Sequence, residues 1–249
     1  MSDMIEAAER GYRFVPYAFQ YSAAVAALPG WRIERVRFAR PVPLDDGFRR
    51  IAEVLRGEGL ALTAFCACEL RSPAPFTDQG FYDFNKRYAA TLDAWGVPVG
   101  GHNPVTRSNV CPEIAPPAEP SFHAFCYARE AADAAPSFVV SGSGESTEGS
   151  GTYRERTVAF GDISPEGMRR KAAHVLGVIE GRMAAVGFGW QHVTATQVYT
   201  VHNIAPFLPD LFVARGAAEH GVIWHYARPP VVDLEFEADA RRVAVERVV

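Results

Sequence analysis

The chain lacks any run of apolar residues long enough to cross a bilayer; nowhere do its 249 residues reach the ~20 consecutive apolar positions of a membrane helix. No membrane partner is expected. A basic tract is missing as well: 25 Lys and Arg stand against 29 Asp and Glu, for a net charge of −4, which argues against a nucleic-acid partner. The opening residues, Met1-Ser2-Asp3-Met4-Ile5-Glu6, have neither a basic nor an apolar signal region, so a cytoplasmic protein is expected. Cysteine is scarce. Cys66, Cys68, Cys111 and Cys126 form no Cys-x-x-Cys pair and no His-Glu-x-x-His helix accompanies them, so buried thiols are expected and a metal is not. Nucleotide signals are also missing. Ser141-Gly142-Ser143-Gly144 has no P-loop lysine, Gly187-Phe188-Gly189 has no completing glycine, and no cofactor is expected.

What is there is an ordinary globular composition, 48% apolar and 22% charged, in a length that suits one large domain or two small ones. In the second half Ser164-Pro165 is a helix start, with serine as cap and proline at the first helical position. Met168, Ala172, Val175, Leu176, Ile179, Met183 and Val186 then mark one face of a long helix. Residues 191–201 read as a strand, 206–218 as a second helix interrupted early by Pro209, and 222–226 and 231–238 as two further strands.

The first half follows the same order. Asp45-Asp46 starts a helix carrying Phe48, Ile51, Val54 and Leu55, and residues 61–70 read as a strand. On that strand Cys66 and Cys68 would share a buried face with Leu62, Ala64 and Leu70. A second helix spans 79–95 with Phe81, Phe84, Tyr88, Leu92 and Trp95 on one side, and extended segments cover 106–114 and 121–128. Extended segments at 31–44 and 137–143 open the two halves, which are joined near a Gly/Ser-rich stretch, 141–152, read as a flexible loop. The pattern is strand–helix–strand–helix–strand–strand, twice, and Pro75-Phe76 and Pro206-Phe207 stand at the same place in each copy.

At these residues the chain resembles the RidA/YjgF family of enamine/imine deaminases, small subunits that form trimers with sites in the clefts between neighbours. Thr106-Arg107-Ser108-Asn109-Val110 resembles the family's arginine motif, and Asn85-Lys86-Arg87-Tyr88 its Asn-x-x-Tyr. Both lie in the first half; the second has Gly221 at the arginine's place. Ser141-Gly142 and Glu237 resemble the family's Ser-Gly and last-strand glutamate, in the second half only, with Phe125 at the glutamate's place in the first. Pro16-Tyr17 resembles the Pro-Tyr near the family's N-terminus.

The resemblance implies an α+β chain of two tandem RidA-like (chorismate-mutase-like) halves, 1–130 and 131–249, each a mixed sheet with two helices on one face. It also implies a homo-oligomer, with a trimer favoured. Each half alone would hold half a site, so Arg107 and Asn85 from one would meet Ser141, Gly142 and Glu237 from the other. The implied activity is cofactor-free hydrolytic deamination of a small enamine or imine bearing a carboxylate, aminomuconate-type intermediates included. Arg107 would clamp the carboxylate with its planar fork, Asn85, Ser141, Gly142, Tyr17 and Tyr88 would bind and orient, and Glu237 would manage protons on water.

Each residue also has a plainer reading. Arg107 could be a surface arginine paired with an acid, and Ser141-Gly142 an ordinary loop start. Alternation through Asp233-Leu234-Glu235-Phe236-Glu237 puts three acids on one strand face, which could point into a cleft or to solvent; Glu145 is a second candidate acid. His220 and His225 fall near the second-half cleft and could supply a polar group or be satisfied core histidines. Two other functions stay open: a non-catalytic protein binding a small carboxylate, and a chorismatase-like hydrolase or lyase, whose dianionic substrate would want a second cation that the sequence does not reveal.

Overall fold

A computed structural model of the chain describes residues 3–147 and 151–249. In order these form β1 (Ile5–Ala7), β2 (Tyr12–Val15), β3 (Ala24–Ala27), β4 (Trp31–Pro43), α1 (Leu44–Gly57), β5 (Phe65–Arg71), α2 (Asp78–Ala94), β6 (Thr106–Pro112), β7 (Ser121–Glu130) and β8 (Phe138–Gly144). The rest comprises α3 (Tyr153–Arg156), α4 (Pro165–Ala185), β9 (Ala195–Tyr199), β10 (Val222–His225), β11 (Ala227–Arg228), β12 (Glu237–Arg242) and β13 (Val245–Val248).

The strands make two mixed sheets. One has seven strands in the order β1-β2-β3-β8-β12-β9-β10, and the other six in the order β11-β6-β5-β7-β4-β13. Within them the blocks β10-β9-β12-β8 and β6-β5-β7-β4 have the same connectivity: a parallel pair, β9 with β10 and β5 with β6, then antiparallel pairing through the last strand to the first. Around these blocks the chain crosses over. The N-terminal strands β1 to β3 extend the seven-stranded sheet, while β11 and β13 from the end of the chain flank the six-stranded one.

Helix faces follow the apolar periodicity. Phe48, Ile51 and Leu55 of α1 and Phe81, Phe84, Tyr88 and Leu92 of α2 pack with Phe65, Leu70, Phe122 and Phe125 on one side of the six-stranded sheet. Met168, Ala172, Val175, Leu176, Ile179 and Met183 of α4 cover Phe138, Val140, Val198, Ala238 and Ala240 on the other sheet. The opposite sheet faces meet through Tyr12, Phe14 and Val25 against Ile33, Cys66, Ala67, Cys126 and Ala128, so two sheets lie back to back with helices outside.

Several expected elements differ. Residues 206–218 do not form an α-helix: a 3-10 turn at Ala205–Phe207 leads into a π-helix at Leu208–Val213, with Ala214 N–H on the Pro209 carbonyl. Pro206 and Pro209 have no N–H to give to an α-ladder, and the wider turn accommodates both. Cys66 and Cys68 do not share a face. A bulge between Phe65 and Ala67 shifts the register, so Cys66 joins the core between the sheets and Cys68 the core under α2. Residues 231–236 are not strand; Asp233 takes φ +70° in a turn closed by Leu234 N–H on the Val231 carbonyl, and β12 starts at Glu237. The expected acidic face Asp233/Glu235/Glu237 therefore does not form. Of the expected loop 141–152, Ser141–Gly144 is the end of β8, and 148–150 lie outside the described residues.

Candidate active site

A cavity of about 300 Å³ opens where β6, the start of α2, the end of β8, α3, α4 and the turn before β12 converge. Arg107, Gly142, Glu237 and Tyr17 all line it. The structure thus brings together residues from both halves of one chain.

Arg107 sits on β6 between the sheets and α2. Its Nη2 donates to Asn85 Oδ1 at 2.7 Å, its backbone N–H donates to Ser141 Oγ at 2.9 Å, and its guanidinium lies 4.8 Å from the Tyr88 ring centre. Phe81, Phe84 and Tyr21 close the aromatic surround. Nη1 is buried without a hydrogen-bond partner among the described residues, and Asn109 Nδ2, from the next cavity-lining residue on β6, is in the same state. Buried donors of this kind carry an unmet desolvation cost until an acceptor arrives.

Asn85 accepts from the arginine and does not line the cavity. Ser141 departs from expectation. Its hydroxyl donates to the Ser22 carbonyl at 2.5 Å and accepts from Arg107, and its N–H donates to the Ala23 carbonyl, so neither of its donors remains for a ligand. Tyr88 departs likewise: it is fully buried beneath Arg107, with its hydroxyl 3.3 Å from Cys68 Sγ. The helical spacing put Asn85 and Tyr88 on one face, and both do reach Arg107, but from behind the cavity wall.

Glu237 begins β12, and its side chain is almost wholly buried. Desolvation by burial, helped by the nearby Asp239 and opposed by Arg107 and Arg71, pushes its carboxyl up to about 8. Gly142 makes room for it: a Cβ there would stand 2.2 Å from Glu237 Oε1 and 3.1 Å from Ser108 Cβ. Phe125 does not take the equivalent place in the first half, because its ring faces the helices.

Glu145 is buried too, but it is structural. It pairs with Lys171 at 3.1 Å and accepts from the N–H groups of Glu235 and Phe236, which fixes the approach to Glu237. His220 is exposed; His225 stacks on Tyr199 and contacts Gln197 Oε1, away from the cavity, and burial lowers its pKa to about 4. No cluster of three or more metal-ligating side chains occurs among the described residues. Burial raises the Cys68 and Cys126 thiols to about 12, which keeps them unreactive near neutral pH.

Among the cavity residues that sequence reasoning missed are two cations, Arg182 on α4 and Arg156 at the end of α3. For Arg182 there was a signal. It falls seven residues after Val175 and three after Ile179, on the apolar stripe of the helix, where a charge needs a reason.

Fold and cavity define an α+β protein of two back-to-back mixed sheets, with a small, cation-lined cavity and one buried carboxyl whose pKa burial raises. The chain belongs to the family of 2-aminomuconate deaminase CnbZ, which it matches over residues 4–247. It is 47% identical over 250 residues, the full length of both proteins, to a 2-amino-5-chloromuconate deaminase of Comamonas testosteroni. Among solved structures it is similar to a chorismatase, with TM-score 0.47 and 13% identity over 89% of this chain and 77% of that one. A RidA protein from an Antarctic Psychrobacter matches 43% of this chain and 80% of its own, with TM-score 0.32 and 17% identity. Those two structural likenesses are too remote to bear on activity. No helix among the described residues is long and apolar enough to cross a membrane.

Proposed function

We propose that the cavity hydrolytically deaminates a carboxylate-bearing enamine of the 2-aminomuconate type. The observation that carries this reading is the convergence of Arg107, with its unpartnered Nη1, and the buried Glu237 on one cavity. A substrate carboxylate on Arg107 satisfies that donor through a charge-assisted bond and orients the amino-bearing carbon beside it.

Glu237, neutral before reaction, gives its proton to the enamine β-carbon; the C=C electron pair forms the new C–H bond and the nitrogen lone pair forms C=N⁺. The resulting carboxylate takes a proton from water as its oxygen bonds to the iminium carbon, giving a carbinolamine. Glu237 then protonates the nitrogen and recovers the hydroxyl proton as the C–N bond breaks. Ammonia and a carbonyl compound leave, and the carboxyl ends neutral. A carboxyl that changes hands this often works best with a pKa near the operating pH, which burial supplies.

The family, the 47% identical deaminase and the positions of Arg107, Asn85, Gly142 and Glu237 support this reading. The shared connectivity of the two four-strand blocks fits two tandem RidA-like halves with the site between them.

Ammonia release from freshly generated 2-aminomuconate tests the activity. Arg107→Ala is expected to lower kcat/KM by about 100-fold or more. Binding of the carboxylate without accelerated ammonia release by the wild type would overturn the deaminase in favour of a binding protein.

A further inference from the structure

Three arginines line the cavity, Arg107, Arg156 and Arg182, and none is ion-paired to a carboxylate among the described residues. Glu237 is the one acid among the described lining residues, and burial favours its neutral form over the charged one that would offset the arginines. The result is a strongly positive cavity in a chain whose net charge is −4. Uncompensated cations around a small volume repel one another, and an anion of matching charge relieves that repulsion.

The three are held differently. Arg156 spends Nη1 on the Thr147 carbonyl and Nε on the Gly151 carbonyl, and so ties the segment around α3 together. Arg182 uses only Nη1, which donates to the Ser141 and Gly142 carbonyls, both at 3.0 Å. Its Nε and Nη2 have no partner among the described residues. Those two carbonyls anchor Arg182 to the end of β8, next to the glycine that admits Glu237.

Two tyrosines separate the arginines. The Arg182 guanidinium lies 4.7 Å from the Tyr17 ring centre, Tyr17 and Tyr21 are 5.2 Å apart, and the Arg107 guanidinium lies 5.7 Å from Tyr21. This cation–ring–ring–cation series fixes two forks at different places on the wall, with Glu237 lining the same space. A single carboxylate leaves one fork empty.

We propose that Arg182 binds a second substrate carboxylate, so that the cavity selects dicarboxylates, one end on Arg107 and the other on Arg182. The proposal rests on the reading of Arg107 as the first clamp. It makes Arg182 the residue that reads the far end of the substrate, which neither Arg107 nor Glu237 can do alone.

Calorimetric binding of muconate and sorbate tests this without turnover, since they are the same six-carbon diene with two carboxylates and with one. The wild type is expected to bind muconate at least about ten-fold more tightly than sorbate. Arg182→Gln is expected to erase that ratio, while Arg107→Ala weakens both ligands. Arg182→Lys, which keeps the charge but loses the fork, is expected to fall between and serves as the test if the glutamine variant does not fold. Equal wild-type affinities, or an unchanged ratio in Arg182→Gln and Arg182→Lys, would overturn the proposal. Absence of ammonia release by a wild type that does prefer muconate would sink the deaminase reading alone.

Discussion

Glu237 couples chemistry to stability because its carboxyl is held neutral by burial, at about 8 in the folded chain against 4.5 for an ordinary glutamate. The folded state therefore binds the extra proton between those values. The stabilisation is complete below about 4.5 and is lost as pH rises through about 8. Glu237→Gln removes this liability and is expected to raise stability at pH 8 by on the order of 1–3 kcal/mol while cutting turnover by about 100-fold or more. Thermal melts at pH 5 and pH 8 check the first part, since the gain should appear only at the higher pH. Wild-type activity is expected to decline above about pH 8 as the proton donor ionises. Gly142→Ala probes the same contact from the other side. The added methyl meets the movable end of Glu237, so the chain is expected to fold and to lose at least about ten-fold in kcat, read against an unchanged circular-dichroism spectrum. At this scale the motifs named Arg107, Gly142, Tyr17 and Glu237, which line one cavity, and Asn85, which accepts from Arg107 behind it; their part in a reaction belongs to the proposal. Ser141 and Tyr88 were legible as neighbours of Arg107 but not as wall against interior, because depth behind a wall has no sequence period.

Among the elements, α4 shows why the remaining residues were harder to read. Its stripe predicted the buried face correctly, yet Lys171 and Arg182 also stand at stripe positions, one in a buried pair with Glu145 and the other at the cavity. A periodicity count treats both as exceptions; only their partners explain them. Lys171→Met leaves Glu145 buried with no cation, and a loss of about 3–5 kcal/mol is expected in denaturant unfolding. Adding Glu145→Gln is expected to recover part of it, because an amide oxygen still accepts from Glu235 or Phe236 without needing a cation. The segment before β12 misled for a related reason. Alternating residues at 233–237 look like a strand, but Glu145 takes the N–H groups of 235 and 236 that a ladder would use, and the strand starts only at Glu237. The π-helix at Leu208–Val213 was equally out of reach, since its apolar spacing resembles an α-helix and only the proline positions hint otherwise.

At the level of the whole molecule, the order of elements was legible and the exchange between sheets was not. Two blocks of like connectivity follow from the repeated pattern, but β1 to β3 are too short to announce themselves, and nothing local says that they pair with β8. That crossing matters to the cavity. Ser22, in the segment leading into β3, accepts from Ser141 and donates to the carbonyls of Val105 and Pro104 beside β6, so the N-terminal segment stitches the two walls together. Arg107 and Glu237 thereby line one cavity within one chain, whereas a site lying between separate subunits would depend on assembly. The consequence can be measured by dilution. Specific deaminase activity is expected to stay constant from micromolar to nanomolar protein, across any concentration at which light scattering shows oligomers separating. Replacing Ser22 by Val removes its hydroxyl from Pro104 while keeping the backbone bonds, and is expected to raise KM through a looser cavity before it lowers the melting temperature by more than a few degrees. Activity that instead falls with dilution in step with dissociation would mean that a neighbouring chain completes the cavity that these walls enclose.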